Sequence, residues 1–191
     1  MRDNFNTYID DIEAGFWIDL CVKRGRLISF ARGEEFASAG SPARYLGYIK
    51  SGTLKYTVTS DSGESRVIGL EFDGEFVADF PFSLYGRKSR VSIVAETPCQ
   101  IHCIESAEVA AMMEADPYVR HIVMKATEAI FSTVYDRYTA LYTTTPQQRY
   151  EDLISRHPDL FSLFSLKDIA SFLNITPTHL SRLRKNIVSG S

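Results

Sequence analysis

The hydrophobic period of this chain changes twice along its length, and those two changes limit what it can fold into. Phe5, Ile9, Ile12, Phe16 and Leu20 recur at helical spacing, which predicts a short amphipathic helix at the N-terminus. From Arg26 to Ile104 the texture is that of strands. The runs are Arg26 to Phe30, Tyr45 to Ile49, Thr53 to Thr59, Arg66 to Phe72, Arg90 to Ala95 and Gln100 to Ile104. Gly33, Ala39-Gly40, Ser51-Gly52, Asp61-Ser62-Gly63 and Asp73-Gly74 separate them. Many short strands punctuated in this way predict an antiparallel barrel or sandwich.

Beyond Ser106 the period is helical again. Asp116 can cap a helix with Pro117 at its first position, where the missing N–H costs nothing. Val119, Ile122, Val123, Ala126, Ile130, Val134, Tyr138 and Leu141 continue it with no internal Gly or Pro. That is about 37 Å of helix at 1.5 Å per residue, longer than a domain of this size needs for its own packing. The stripe is therefore expected to form a helix-to-helix seam in a homodimer. Thr143 to Thr145 and Pro146 end the helix and open a hinge.

Composition adds exclusions. A chain of 191 residues, 45% hydrophobic and 24% charged, suits one large domain or two modest ones. It holds no apolar run of membrane-spanning length, and its acidic, interrupted N-terminus does not read as a signal peptide, so a cytoplasmic location without membrane contact is expected. Cys21, Cys99 and Cys103 are too scattered for a disulfide framework or a zinc or iron-sulfur site. The four histidines are singletons: His102 in a strand run, His121 on the long helix, His157 in a loop and His179 near the C-terminus. They cannot supply the ligand set of a metal-dependent barrel enzyme. No metal, cofactor or catalytic activity is expected.

The net charge is -3, but residues 146 to 191 carry six Lys or Arg against four Asp or Glu, while the rest carries 15 against 20. In that weakly basic tail, Thr145-Pro146-Gln147-Gln148 is a capping box that starts a helix with Tyr150, Leu153 and Ile154 on its apolar side. Ser165 with Asp168 opens a second helix through Leu173, with Ile169 and Leu173 inward and Ala170 small enough for a close crossing. Asn174-Ile175 makes a tight turn. Thr176 caps a third helix that Pro177 begins, and Leu180, Leu183 and Ile187 form its buried face. Two short helices around a tight turn fit a helix-turn-helix, which lays its second helix in the major groove of double-stranded DNA. Thr178, His179, Ser181, Arg182 and Lys185 occupy the opposite face. Arg182 is the candidate base reader, because an arginine fork bonds guanine O6 and N7 together. Thr176, Thr178, Ser181 and Lys185 suit phosphate contacts.

The chain resembles the Crp/Fnr family of bacterial regulators, and in particular a divergent branch typical of the Bacteroidetes. In the strand region the likeness rests on Gly33-Glu34, Tyr48 to Lys55, Asp61 to Glu64 and Phe76-Val77-Ala78-Asp79. In the tail it rests on Leu166 to Pro177 and Leu180 to Arg184. It implies a mixed fold: an N-terminal cyclic-nucleotide-binding-like β-roll (a double-stranded β-helix) as effector domain over residues 1–115, a dimerisation helix over 116–142, and a winged-helix-like DNA-binding domain over 143–191. No strand-forming pair follows Ile187, so any wing is expected around Phe161 to Phe164 or is absent.

The departures from the family pattern shape the functional expectation. Cyclic-AMP-responsive members carry a Glu for the ribose and, ten residues later, an Arg for the cyclic phosphate. Here the corresponding pair is Ala78-Asp79, and the Arg position falls on Ser89 with Arg90 one step late. A one-residue slip in a strand turns the side chain to the other face. The resemblance thus implies a DNA-binding regulator whose pocket around Ala78, Asp79, Ser89 and Arg90 takes an unidentified small molecule other than cyclic AMP. The alternative is a ligand-independent regulator or protein-interaction module with the roll as scaffold. At the helix-turn-helix, the family's base-reading positions fall on Pro177, Thr178 and Arg182; only the last keeps the family residue, which implies a different operator.

Overall fold

The structure is a computed structural model that describes residues 5–189, with side chains described as far as Asn186. Eight strands form two four-stranded sheets: β1 (Arg26–Phe30), β2 (Glu35–Ala37), β3 (Tyr45–Ser51), β4 (Leu54–Thr59), β5 (Ser65–Glu71), β6 (Phe76–Val77), β7 (Ser92–Ala95) and β8 (Cys99–Glu105). One sheet has the order β1-β8-β3-β6 and the other β2-β7-β4-β5, with every pairing antiparallel. Ile49, Leu54, Ile93 and Ile101, all fully buried, meet between them with Phe36, Val77 and Val91. The six expected strand runs are present. The two-residue β6 and three-residue β2 are additions, each too short to show a period of its own.

The N-terminal segment differs from the single helix expected. It folds as α1 (Tyr8–Asp11) and α2 (Ala14–Arg24), and the break at Ile12 is extended backbone, with φ -104° and ψ 161°. The two halves serve different cores. Phe5 packs among the C-terminal helices, whereas Trp17, Leu20 and Cys21 pack on Leu46 and Ile104 of the first sheet. A single straight helix could not reach both.

After α3 (Ser106–Ala115), the helix α4 runs through Pro117–Thr143. The Asp116 carboxylate accepts the Tyr118 N–H at 2.8 Å, the cap that the sequence announced. The tail comprises α5 (Pro146–Arg156), α6 (Leu160–Leu163), α7 (Leu166–Phe172) and α8 (Pro177–Ser189). Thr145 and Gln148 make the capping box in both directions, and Ser165 accepts from the Asp168 N–H at 3.1 Å. The segment expected to carry any wing is helical instead: its apolar residues Leu160 and Phe164 are buried in the tail core at helical spacing, four residues apart.

Gly25 sits where α2 turns into β1. A Cβ there would lie 2.3 Å from the Cys21 carbonyl oxygen and 2.6 Å from that of Cys103. Both are backbone atoms, so neither can rotate away. Gly25→Ala is expected to destabilise the fold by about 1–3 kcal/mol, measurable as a lower midpoint in urea denaturation with an unchanged slope.

Candidate functional site

Three regions bear on function: the exposed face of α8, a cavity between the roll and α4, and the exposed length of α4.

In the tail, α7 and α8 cross closely. Ile169, Ala170 and Leu180 are fully buried, with Leu173 and Leu183 beside them; Ile187, expected on the same face, lies outside the described side chains. Asn174 takes a left-handed conformation, φ 54°, at the turn between the helices, a geometry that asparagine tolerates better than most residues. The Thr176 hydroxyl accepts the His179 N–H at 3.2 Å, so it caps the helix while its own proton stays free to donate. Thr178, His179, Ser181, Arg182 and Lys185 are all exposed on α8, as the sequence placed them. Arg184 turns to the side, its guanidinium 3.8 Å from the centre of the Phe161 ring.

The tail does not stand apart from the roll. Lys55 on β4 pairs with Glu96 at 2.8 Å and with Asp168 of α7 at 3.1 Å. Burial works against the Lys55 ammonium, but hydrogen bonds to both carboxylates outweigh it and raise its pKa. The Val67 N–H on β5 donates to the Ser171 hydroxyl at 2.8 Å, and Phe72 stacks on His157 at 4.0 Å. The hinge expected at Thr143 to Pro146 is therefore bridged by a shared core: Phe5, Val67, Leu70 and Phe72 join the buried residues of α5 to α8.

Behind that contact lies a buried polar junction. The Asn6 side-chain amide donates to Glu71 at 2.6 Å and to Glu75 at 2.7 Å, and the Asn6 backbone N–H also donates to Glu75, at 3.0 Å. Arg137 of α4 donates to the Asn6 side-chain oxygen. The same guanidinium lies 5.4 Å from the Phe5 ring centre and 5.5 Å from that of Phe172 on α7. Burial, together with the charge and hydrogen bond of Glu75, holds the Glu71 carboxyl well above the usual carboxylate range, although Arg137 and Asn6 pull it down. Sequence reading missed this group. Its one available signal was the pair of glutamates on either side of the Asp73-Gly74 turn.

The cavity has a volume of about 320 Å³ and lies between the second sheet, α2 and α4. Ala78 and Asp79 line it as expected, but Ser89 and Arg90 do not. Ser89 is buried and donates to the Val91 carbonyl at 2.7 Å. The Arg90 guanidinium lies 5.2 Å from the centre of the Phe82 ring, while its backbone N–H donates to Asp79 at 3.3 Å. The effector set expected from the sequence is thus halved: Ser89 and Arg90 precede β7 and their side chains are engaged by Val91 and Phe82 instead. Trp17, Tyr56 and Glu71 complete the polar lining, and Ile130 and Val134 add apolar surface from α4.

On α4 the expected seam needs correction. Val119, Ile122, Val123 and Ala126 are buried in the chain's own core against Leu46, Ile104 and Val109, and Ile130 is half-buried. Val134, Tyr138 and Leu141 are exposed as expected, and Met124, Phe131, Tyr135 and Tyr142 join them. Phe131 is 67% exposed and Tyr142 74%, so this part of the helix presents a large exposed aromatic surface. The four aromatics recur at intervals of four, three and four residues, the spacing of a coiled-coil seam. Sequence reading traced one stripe where the helix has two.

Among the described residues, no group of three or more His, Cys, Asp or Glu could hold a metal ion, and no helix is long and apolar enough to cross a membrane. Cys21 and Cys103 are buried, and burial pushes their thiols up to about 12.

Glu71 gives a measurable pH dependence. Above the ordinary glutamate range, about pH 4.3, the folded chain holds a proton that the unfolded chain has released, so this group makes stability fall as pH rises. Glu71→Gln mimics the protonated carboxyl. Its melting temperature relative to the natural protein is expected to rise steadily between about pH 5 and pH 8.

Residues 27–116 match the family model described as cyclic nucleotide-binding domain. No curated protein matches the chain by sequence. Among solved structures, FixK2 from Bradyrhizobium japonicum is 15% identical, with 87% of this chain and 85% of that one covered and a TM-score of 0.74. The c-di-GMP-responsive global regulator CLP of Xanthomonas campestris is 15% identical over 93% of both chains, with a TM-score of 0.64. A Crp/Fnr-family transcriptional regulator from Thermus thermophilus is 13% identical over 87% of each, also at 0.64. Residues 27–116 thus match the cyclic nucleotide-binding domain, on a chain with the fold seen in Crp/Fnr transcriptional regulators.

Proposed function

We propose that the chain is a sequence-specific, DNA-binding transcriptional regulator that works as a homodimer and responds to a small molecule held in its roll. The observation that carries this reading is the α7–α8 pair. Two helices pack with Ala170 and Leu180 fully buried on either side of a left-handed turn at Asn174, and Thr178, His179, Ser181, Arg182 and Lys185 of the second are exposed. That is a helix-turn-helix without a wing on its N-terminal side. The proposed units are the roll with its N-terminal helices (1–115), the dimerisation helix (116–142) and the DNA-binding tail (143–191). A two-fold axis along α4 would set two copies of α8 about 34 Å apart, one turn of DNA. The first test is a mobility-shift titration of the protein on the promoter region beside its gene.

Arg182 and Lys185 separate base reading from phosphate contact. Arg182→Ala is expected to cost about 1–3 kcal/mol on the operator and little on unrelated DNA. Lys185→Ala is expected to weaken both alike and to lower the salt slope by about one unit. Binding titrations over a salt series distinguish the two, and equal losses for Arg182→Ala on both DNAs would make it a backbone contact.

The dimer seam is tested at Tyr135. Its exposed ring stacks, among the described residues, only on Phe131 of its own helix, at 5.8 Å, so Tyr135→Asp leaves the monomer's core intact. Sedimentation at low micromolar concentration is expected to show a dimer for the natural protein and a monomer for this variant, with operator affinity falling in step.

A further inference from the structure

The cavity between the roll and α4 states its own ligand preference. Its walls are mostly apolar, from Leu46, Ile68, Phe76, Phe80, Ile130 and Val134, and among the described residues no Lys, Arg or His lines it. The ionisable groups in its lining are Tyr8, Tyr56, Glu71 and Asp79. An anion placed here would be desolvated beside carboxyl groups with no cation in the wall, a strongly unfavourable arrangement. Trp17 is buried at the cavity wall.

We infer that the cavity is the binding site for an uncharged, largely apolar small molecule, and that it rejects cyclic nucleotides and other anions. This rests on the reading of the roll as an effector domain and names the class of effector. The volume, about 320 Å³, is at the small end of the range for ligand sites and suits a compact two-ring molecule.

Trp17 is the single tryptophan of the chain, so the site carries its own fluorescent reporter. The probes are Prodan, a neutral naphthyl ketone, and anilinonaphthalene sulfonate, an anion of similar size, with cyclic AMP as a third. Prodan is expected to quench Trp17 saturably at one molecule per chain, and both anions to bind at least about tenfold more weakly. Ala126→Phe, which fills the cavity from α4, is expected to abolish binding. Should that variant not fold, Ile68→Arg at the half-exposed rim supplies a cation instead and is expected to narrow the gap between sulfonate and ketone severalfold.

Equal affinity for ketone and sulfonate in the natural protein would overturn the inference. So would Prodan binding that leaves Trp17 emission unchanged, or that survives in folded Ala126→Phe. Failure to shift promoter DNA with Prodan binding intact would instead sink the DNA-binding reading and leave the ligand class standing.

Discussion

The architecture depends on a buried cluster of polar groups in which four separate segments meet. Asn6 comes from the N-terminus, Glu71 and Glu75 from β5 and the turn after it, and Arg137 from α4. Phe172 of α7 closes the far side of the guanidinium. Each of these groups would be costly to bury alone. Together, one amide satisfies two carboxyl groups and one guanidinium, and the proton held on Glu71 lowers the charge that must be accommodated. Burial also pulls the Arg137 pKa down, but the two nearby glutamates counter it. Removing any one member leaves the others buried and under-satisfied, a mutual dependence that fixes the relative position of roll, long helix and tail.

That dependence changes how the tail is understood. A helix-turn-helix joined through a bare hinge could sample many orientations. Here α7 is held on the edge strand β5 by Lys55, by the Val67–Ser171 hydrogen bond and by the Phe5–Phe72–Phe172 group. Covering β5 also solves the exposed-edge problem of the second sheet, whose order leaves that strand outermost. The polar face of α8 points away from this contact and stays open.

What was legible in the sequence follows from the range of each interaction. Caps and turns are local, so Asp116, Thr145, Ser165, Asn174 and Thr176 could be read directly, as could strands with a full period of two. Side chains that meet across long separations could not. Asn6 and Arg137 are 131 positions apart, and no pattern within either segment marks them as partners. The break at Ile12 was hidden for a related reason: its helical spacing is genuine, and only the need to fill two cores ends the helix. Asp168 read as the partner of the Ser165 cap and accepts that hydroxyl at 2.6 Å, but its bond to Lys55 depends on tertiary placement. The family resemblance supplied the order of the elements. The slip from Ser89 to Arg90 could be seen beforehand as a departure, but the new partners of both residues could not.

The two faces of α4 connect these parts. Ala126, Ile130 and Val134 touch the cavity, while Phe131, Tyr135, Tyr138 and Tyr142 lie exposed along the proposed seam. Both sets sit on one uninterrupted helix, with Ile130 and Phe131 adjacent in sequence, so a rotation at the cavity wall must also turn the seam. Glu71 also borders the cavity, and through Asn6 it reaches Arg137 and the docked α7. On the proposed reading, a ligand would therefore meet the dimer contact and the tail contact at one site. It could shift either only by its difference in affinity between the arrangements. An apolar ligand has that difference available without contributing any charge, because moving Ile130 or Val134 changes how much of its own surface is buried. The polar junction would then set the direction of the response, since it is the part of the interface that tolerates the least displacement.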